Sequence, residues 1–167
     1  LVEELTDNVE LPVQVTIASG FPKGDKLEFI TQKVTELGAS QIWAFPADWS
    51  VAKWDGKKLG KKVEKLEKIA LGAAEQSKRN FVPSITLFEK KADFLAQLSQ
   101  FDRIVVAYEE SAKEGESAAL IQAVAGLEKG AELLFIFGPE GGLSPAEIES
   151  FEAKGAVLAG LGPRILR

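Results

Sequence analysis

"FIFGPEGGLSPAEI", residues 135–148, decides how the chain folds. An apolar, strand-like run gives way to a turn holding Gly138, Gly141 and Gly142, then to Ser144 with Glu147 three residues on and Pro145 between them. Ser at the N-cap, Pro at the first helical position and Glu at the third form a capping box, so the stretch reads strand, tight turn, helix. Such a junction aims backbone donors at whatever lies above the strand end. The turn fits neither GxGxxG nor the Walker A pattern, because Pro139 and Glu140 hold its centre and no Lys-Ser/Thr pair follows. A carboxylate in the loop repels a polyphosphate, so the loop suits a ligand with hydroxyls or positive charge. A tight turn without a ligand is the plainer alternative.

Outward from this junction the same alternation repeats. "VQVTIA", 13–18, is β-rich, and the helix after it sets Leu27, Ile30, Val34 and Leu37 on one face and stops at Gly38. "QIWAF", 41–45, is a second strand. "LEKIALGAAEQSKR" repeats Leu66, Ile69, Ala70, Ala73 and Ala74 helically, with small residues that allow close packing. "ITLF", 85–88, leads to an amphipathic "ADFLAQLSQF", then to the β-branched "RIVVAY", 103–108. The helical "SAALIQAVAGL" precedes "ELLFIF", and "AVLAGL" follows the 144–154 helix. Strands separated by helices predict an α/β fold, a mostly parallel sheet with helices on both faces and with "RIVVAY" and "ELLFIF" at its centre. Ligands of such sheets bind beyond the strands' carboxyl ends, here "AYEES", "FGPEGG" and "GLGPRILR". Residues 53–62, rich in Lys and Gly, read as a mobile surface loop.

Composition narrows the chemistry. The 167 residues are 46% hydrophobic, enough for one well-filled core. No segment approaches the roughly 20 apolar residues of a membrane span, and no signal-peptide pattern opens the chain. With no Cys and no His, thiol catalysis, a Ser-His-Asp triad and a zinc site are excluded within the chain, and no metal is expected. Carboxylates, Lys, Arg, Tyr, hydroxyls, backbone dipoles or a reactive cofactor remain. A net charge of -5 argues against nonspecific coating of nucleic acid. Lys53, Lys57, Lys58, Lys61, Lys62, Lys65 and Lys68 nevertheless form a basic stretch against Asp55, Glu64 and Glu67. It reads either as a solvated helix face or as a phosphate contact. The absence of methionine, an initiator included, suggests a piece of a longer protein.

Tyr108 and Glu109, the 138–142 loop, and Gly160, Gly162, Pro163, Arg164 and Arg167 share one rim, and two Gly/Pro loops make a cleft. "FGPEGGLSPAEI" followed by "LGPRILR", with "KGDKLEFITQKVTELG" and "AAEQSKR", resembles the RsmE-type methyltransferases of small-subunit ribosomal RNA, of the SPOUT class. The resemblance covers nearly the whole chain. It implies a C-terminal trefoil knot, a homodimer in the cytoplasm, and S-adenosylmethionine bound in the knot. The implied activity is methylation of N(3) of a uridine in 16S ribosomal RNA, within the small ribosomal subunit. Residues 1–12 would be the tail of, or linker from, an N-terminal PUA-like domain; 13–167 would be the SPOUT-like domain, whose family pattern continues past Arg167.

On that resemblance Gly138, Pro139, Glu140, Gly141 and Gly142 hold the adenosine portion of the cofactor, mainly through backbone. Leu161, Gly162, Ile165 and Leu166 form the opposite wall. Arg164 and Arg167 are the catalytic candidates, as cations stabilising the uridine anion. Glu109 or Glu140 is the candidate base, with a structural role for Glu140 the stronger expectation. Lys23, Gln76, Lys78 and Arg79 match family positions that serve the RNA face or the fold. A noncatalytic RNA-binding or ribosome-assembly module on the same fold is the alternative function. A nucleotide-dependent oxidoreductase lacks its fingerprint here.

Overall fold

The computed structural model of the chain describes residues 13–50, 54, 56–107 and 127–159. The described elements are β1 (Gln14–Gly20), α1 (Lys26–Leu37), β2 (Gln41–Phe45), α2 (Gly56–Gln76), β3 (Ser84–Leu87), α3 (Lys91–Ala96), a 3-10 turn (Leu98–Gln100), β4 (Arg103–Ala107), β5 (Glu132–Phe137), α4 (Pro145–Ala153) and β6 (Val157–Ala159). The strands form a six-stranded sheet in the order β3-β2-β1-β5-β4-β6. Every described pairing is parallel. The central pair is β1 with β5, in register from Gln14 opposite Glu132 to Ser19 opposite Phe137. "ELLFIF" is therefore central, as predicted, but its central neighbour is β1; "RIVVA", the described part of the other predicted central strand, lies one strand further out, between β5 and β6.

Side chains alternate across the strands and feed two cores. From β2, Trp43 and Phe45 join Ala18, Ile104, Val106, Leu134 and Ile136 against Phe94 of α3 and Ile148 and Phe151 of α4. Ile42 and Ala44 face the other way, onto Leu27 of α1 and Leu59, Leu66 and Ala70 of α2. Helices thus cover both faces, and the strands read as near-continuous apolar runs because neither face meets water.

Two local predictions need correction. Residues 56–62 are the first turns of α2, a 21-residue helix, and not a loop. Leu59 and Leu66 bury against the sheet and the lysines occupy the outer surface, so tertiary packing outweighs the breaking tendency of Gly56 and Gly60. On α1 the buried residues are Leu27, Thr31 and Thr35, whereas Leu37 is 75% exposed. Leu37 sits at the last turn, where Gly38 at φ 107° sends the chain away and Ala39 N–H closes back on the Val34 carbonyl.

Candidate functional site

The chain builds β1, β2 and β3 outward on one side and places β4, β5 and β6 on the other, so the strand order reverses between β1 and β5. In open parallel sheets the crevice above such a reversal is where ligands bind. The loop after β5, Gly138 to Leu143, stands at this point beside the loop after β1.

The glycine loop is folded tightly. Gly142 N–H donates to the Pro139 carbonyl at 2.8 Å, and Gly142 has φ 83°, a left-handed conformation suited to glycine. A Cβ on Gly138 would lie 2.9 Å from the Gly142 carbonyl carbon and 3.0 Å from Leu143 N, so only glycine lets the loop double back. The packing extends beyond the loop: a Cβ on Gly20, the last residue of β1, would lie 2.6 Å from Pro139 Cδ and 2.9 Å from Ala47 Cβ. Across the loop, Gly141 sits under Trp49, whose carbonyl oxygen would be 3.2 Å from an added Cβ.

Glu140 turns toward the β1 loop. Its carboxylate pairs with Lys26 Nζ at 2.8 Å and accepts the Lys23 backbone N–H at 3.0 Å. Partial burial pushes its pKa up, but the hydrogen bonds from Lys26, its own N–H and Lys23 outweigh this and bring it down to about 2. The carboxylate is therefore held as an anion that ties two loops together.

Behind the loop, the capping box of α4 is complete. Ser144 Oγ accepts the Glu147 N–H at 3.2 Å, and Glu147 Oε1 accepts the Ser144 N–H at 2.9 Å. Leu143 and Ile148 flank the cap and bury in the same cluster, the arrangement of a hydrophobic staple. Glu147 is 1% exposed, and its second oxygen accepts the Asp48 N–H at 2.8 Å and Lys91 Nζ at 3.2 Å. Lys91 also pairs with the Asp48 carboxylate, which accepts Ser144 Oγ–H at 2.6 Å. The hydrogen bond from Lys91, then that from Ser144, holds the Asp48 carboxyl below its ordinary value. Burial pulls the Lys91 ammonium down, yet hydrogen bonds to Asp48 and Glu147 win and raise it. Four side chains from the β2 loop, the start of α3 and the start of α4 thus fix the base of the glycine loop. Sequence reading found the capping box but missed Gly20, Asp48 and Lys91, whose partners lie too far along the chain to leave a local signal.

The expected site residues separate in space. Gly138, Pro139, Glu140, Gly141 and Gly142 form one loop, and the exposed Lys23 borders it through Glu140. Gln76 ends α2, and Arg79 beyond it bonds the carbonyl of Ala39, two residues before β2, so they lie at the strands' amino ends, opposite the rim. Gln76 is exposed. Arg79 is 8% exposed, and its Nη1 donates to the carbonyls of Thr35 at 3.0 Å and Ala39 at 2.8 Å, closing the end of α1. Its guanidinium satisfies carbonyls at a helix end that lack intrahelical partners, which favours the fold over the RNA face, the two roles expected for it. Tyr108, Glu109, Leu161, Gly162, Arg164, Ile165, Leu166 and Arg167 lie outside the described residues. Among the described residues no group of acidic side chains could hold a metal ion, and no helix is long and apolar enough to cross a membrane.

Known proteins share this fold. Ribosomal RNA small subunit methyltransferase E of Bacillus subtilis is 52% identical over 167 residues, which are 100% of this chain and 65% of that protein. A crystal structure of a hypothetical protein matches at TM-score 0.87 and 49% identity, over 99% of this chain and 65% of that one. The crystal structure of a ribosomal RNA small subunit methyltransferase E from Neisseria gonorrhoeae, bound to S-adenosyl methionine, matches at TM-score 0.76 and 26% identity, over 96% of this chain and 63% of that one. The chain thus spans somewhat under two thirds of the length of each. The profile of the family described as the RNA methyltransferase domain matches residues 9–167, and the chain belongs to that family.

Proposed function

We propose that the protein transfers a methyl group from S-adenosylmethionine to N(3) of a uridine in 16S ribosomal RNA of the small ribosomal subunit. The observation that carries this reading is the glycine loop at the β1/β5 reversal, in a chain of the RNA methyltransferase domain family. The loop suits that cofactor: it presents main chain around Gly138 to Gly142, and its carboxylate is already neutralised by Lys26. A nucleoside bearing hydroxyls and positive charge, without phosphate, meets no repulsion there.

S-adenosylmethionine supplies, when bound, a methyl group already activated on a sulfonium. The protein's work is then to bind, align and assist loss of the uridine imino proton. Gly138, Pro139, Glu140, Gly141 and Gly142 hold the adenosine side, with Leu161, Gly162, Ile165 and Leu166 opposite. Neutral uridine is a weak nucleophile at N(3), and Arg164 and Arg167 act as fixed cations that stabilise its anion. Glu140, held as an anion by Lys26, is a poor choice of base, which leaves Glu109 as the side-chain candidate. Lys23 at the rim and Gln76 at the far end of α2 face RNA. The enzyme works as a cytoplasmic homodimer with the C-terminal segment knotted around the cofactor.

Replacing Arg164 or Arg167 with Ala is expected to lower kcat by about 10²-fold or more, the scale of losing one preorganised charge, with S-adenosylmethionine affinity little changed. Turnover equal to that of the unaltered protein would remove that arginine from the mechanism. Normal RNA binding without methylated product from the unaltered protein would favour a noncatalytic module.

A further inference from the structure

The lysines of α2 are sorted by sign around the helix. At 100° per residue, Lys57, Lys58, Lys61, Lys62, Lys65 and Lys68 fall on one flank, while Glu64 and Glu67 fall on the other. Leu59, Leu66, Ala70, Ala73 and Ala74 occupy the buried stripe between. Glu64 borders this flank four residues before Lys68, and Glu75 lies in line with Lys57 further along, but from Lys57 to Lys68 the flank itself carries six lysines and no acid, on a chain whose net charge is -5.

The flank is placed as well as sorted. Lys62 Nζ lies 4.3 Å from the Trp54 ring centroid, and Trp54 stacks on Phe21 at 4.5 Å, which ties the middle of the flank to the β1 loop. Lys65 reaches Glu28 of α1 at 3.1 Å. The basic surface therefore meets the β1 loop at Lys62 and α1 at Lys65, and spans about 16 Å of α2 from Lys57 to Lys68 at 1.5 Å per residue. Gln76, three turns beyond Lys65, continues the stripe and is exposed. Lysines three and four residues apart stand about 5–6 Å from one another, so the row meets a polyanion at several points.

We propose that this flank of α2 is a docking surface for the phosphodiester backbone of RNA, guiding the strand that delivers its base to the rim; the proposal rests on the RNA-directed reading above. The surface offers charge without base readout, so it would position RNA and leave sequence selection to the rim. A lipid surface fits less well. An interfacial helix inserts an apolar face, and that of α2 is already buried against the sheet.

The test compares the protein with a Lys57→Gln/Lys61→Gln/Lys68→Gln variant and with the matching triple Arg variant. Binding to a 16S ribosomal RNA transcript is measured by filter retention across a salt series, and S-adenosylmethionine binding by calorimetry. Neutralising three phosphate contacts should reduce the slope of log affinity against log salt by about 2 and weaken binding about tenfold or more at low salt. The Arg variant should restore both, and cofactor affinity should stay the same. An unchanged salt slope in the Gln variant, while the unaltered protein binds RNA, would overturn the docking surface and leave the methyltransferase reading standing. Failure of the Arg variant to restore binding would overturn it too, as would an unchanged RNA slope accompanied by lost binding to phosphatidylserine vesicles. Absence of RNA binding by the unaltered protein would bring down both readings.

Discussion

Glu140 stands in the middle of the glycine loop yet directs its carboxylate away from it, to Lys26 and the Lys23 N–H. Its folded pKa of about 2 lies below its ordinary value of 4.5, so its stabilisation is present above 4.5 and is lost as pH falls toward 2. Because the pair is partly open to solvent, the contribution is about 0.5–1 kcal/mol. Denaturant titrations at pH 7 and pH 3 should show Glu140→Gln less stable than the parent by this amount at pH 7 and by a smaller amount at pH 3. An equal gap at both would mean that charge is not what holds the loop. Gly20 acts on the same loop from β1. Gly20→Ala would push on Pro139 and Ala47, an overpacking cost of about 1–3 kcal/mol, and should weaken S-adenosylmethionine binding in calorimetry although the residue lies outside the loop. Unaltered affinity would show that Pro139 has room to give.

At the scale of elements, α4 begins where its sequence said it would, because Ser144, Pro145 and Glu147 are a local code for a helix start. What could not be read locally is the second use of Glu147, as the buried partner of Asp48 and Lys91 from two other loops. Glu147→Ala would leave Lys91 to Asp48 alone and deprive the Ser144 and Asp48 N–H groups of their acceptor. A cost of about 2–4 kcal/mol is expected in chemical denaturation, from two backbone donors left unpaired; a change under 1 kcal/mol would show that water replaces the carboxylate. The cluster's pH range follows from its shifts. Asp48, depressed, stabilises above its ordinary 3.8 and loses that contribution as pH falls. Lys91, raised, stabilises below its ordinary 10.5 and loses it as pH climbs through the folded value. The start of α2 misled in the opposite way. Gly56, Gly60 and the lysines look like a loop until Leu59 and Leu66 are seen on the sheet, a tertiary contact that overrides local propensity.

At the scale of the molecule, the parallel sheet was legible because strands buried on both faces are largely apolar, as Ile104–Val106 and Leu133–Ile136 are. Strand order was less legible: β1, with Gln14, Thr16 and Ser19, looks too polar for the centre yet pairs with both β2 and β5. That order sets the β1 and β5 loops side by side, at the reversal where ligands of such sheets bind. The fold also divides the expected RNA residues, with Lys23 at the rim and Gln76 and Arg79 at the strands' amino ends, a division that sequence spacing cannot express. The central claim, that this rim serves methyl transfer to a uridine ring nitrogen, has a direct test. Small ribosomal subunits from cells lacking the modification are incubated with the protein and S-adenosylmethionine, and the 16S ribosomal RNA is digested to nucleosides for mass spectrometry. The expected product is 3-methyluridine, formed only with cofactor and lost with Arg164→Ala or Arg167→Ala. A digest without 3-methyluridine, from protein shown to be folded and to bind the subunit, would contradict that claim.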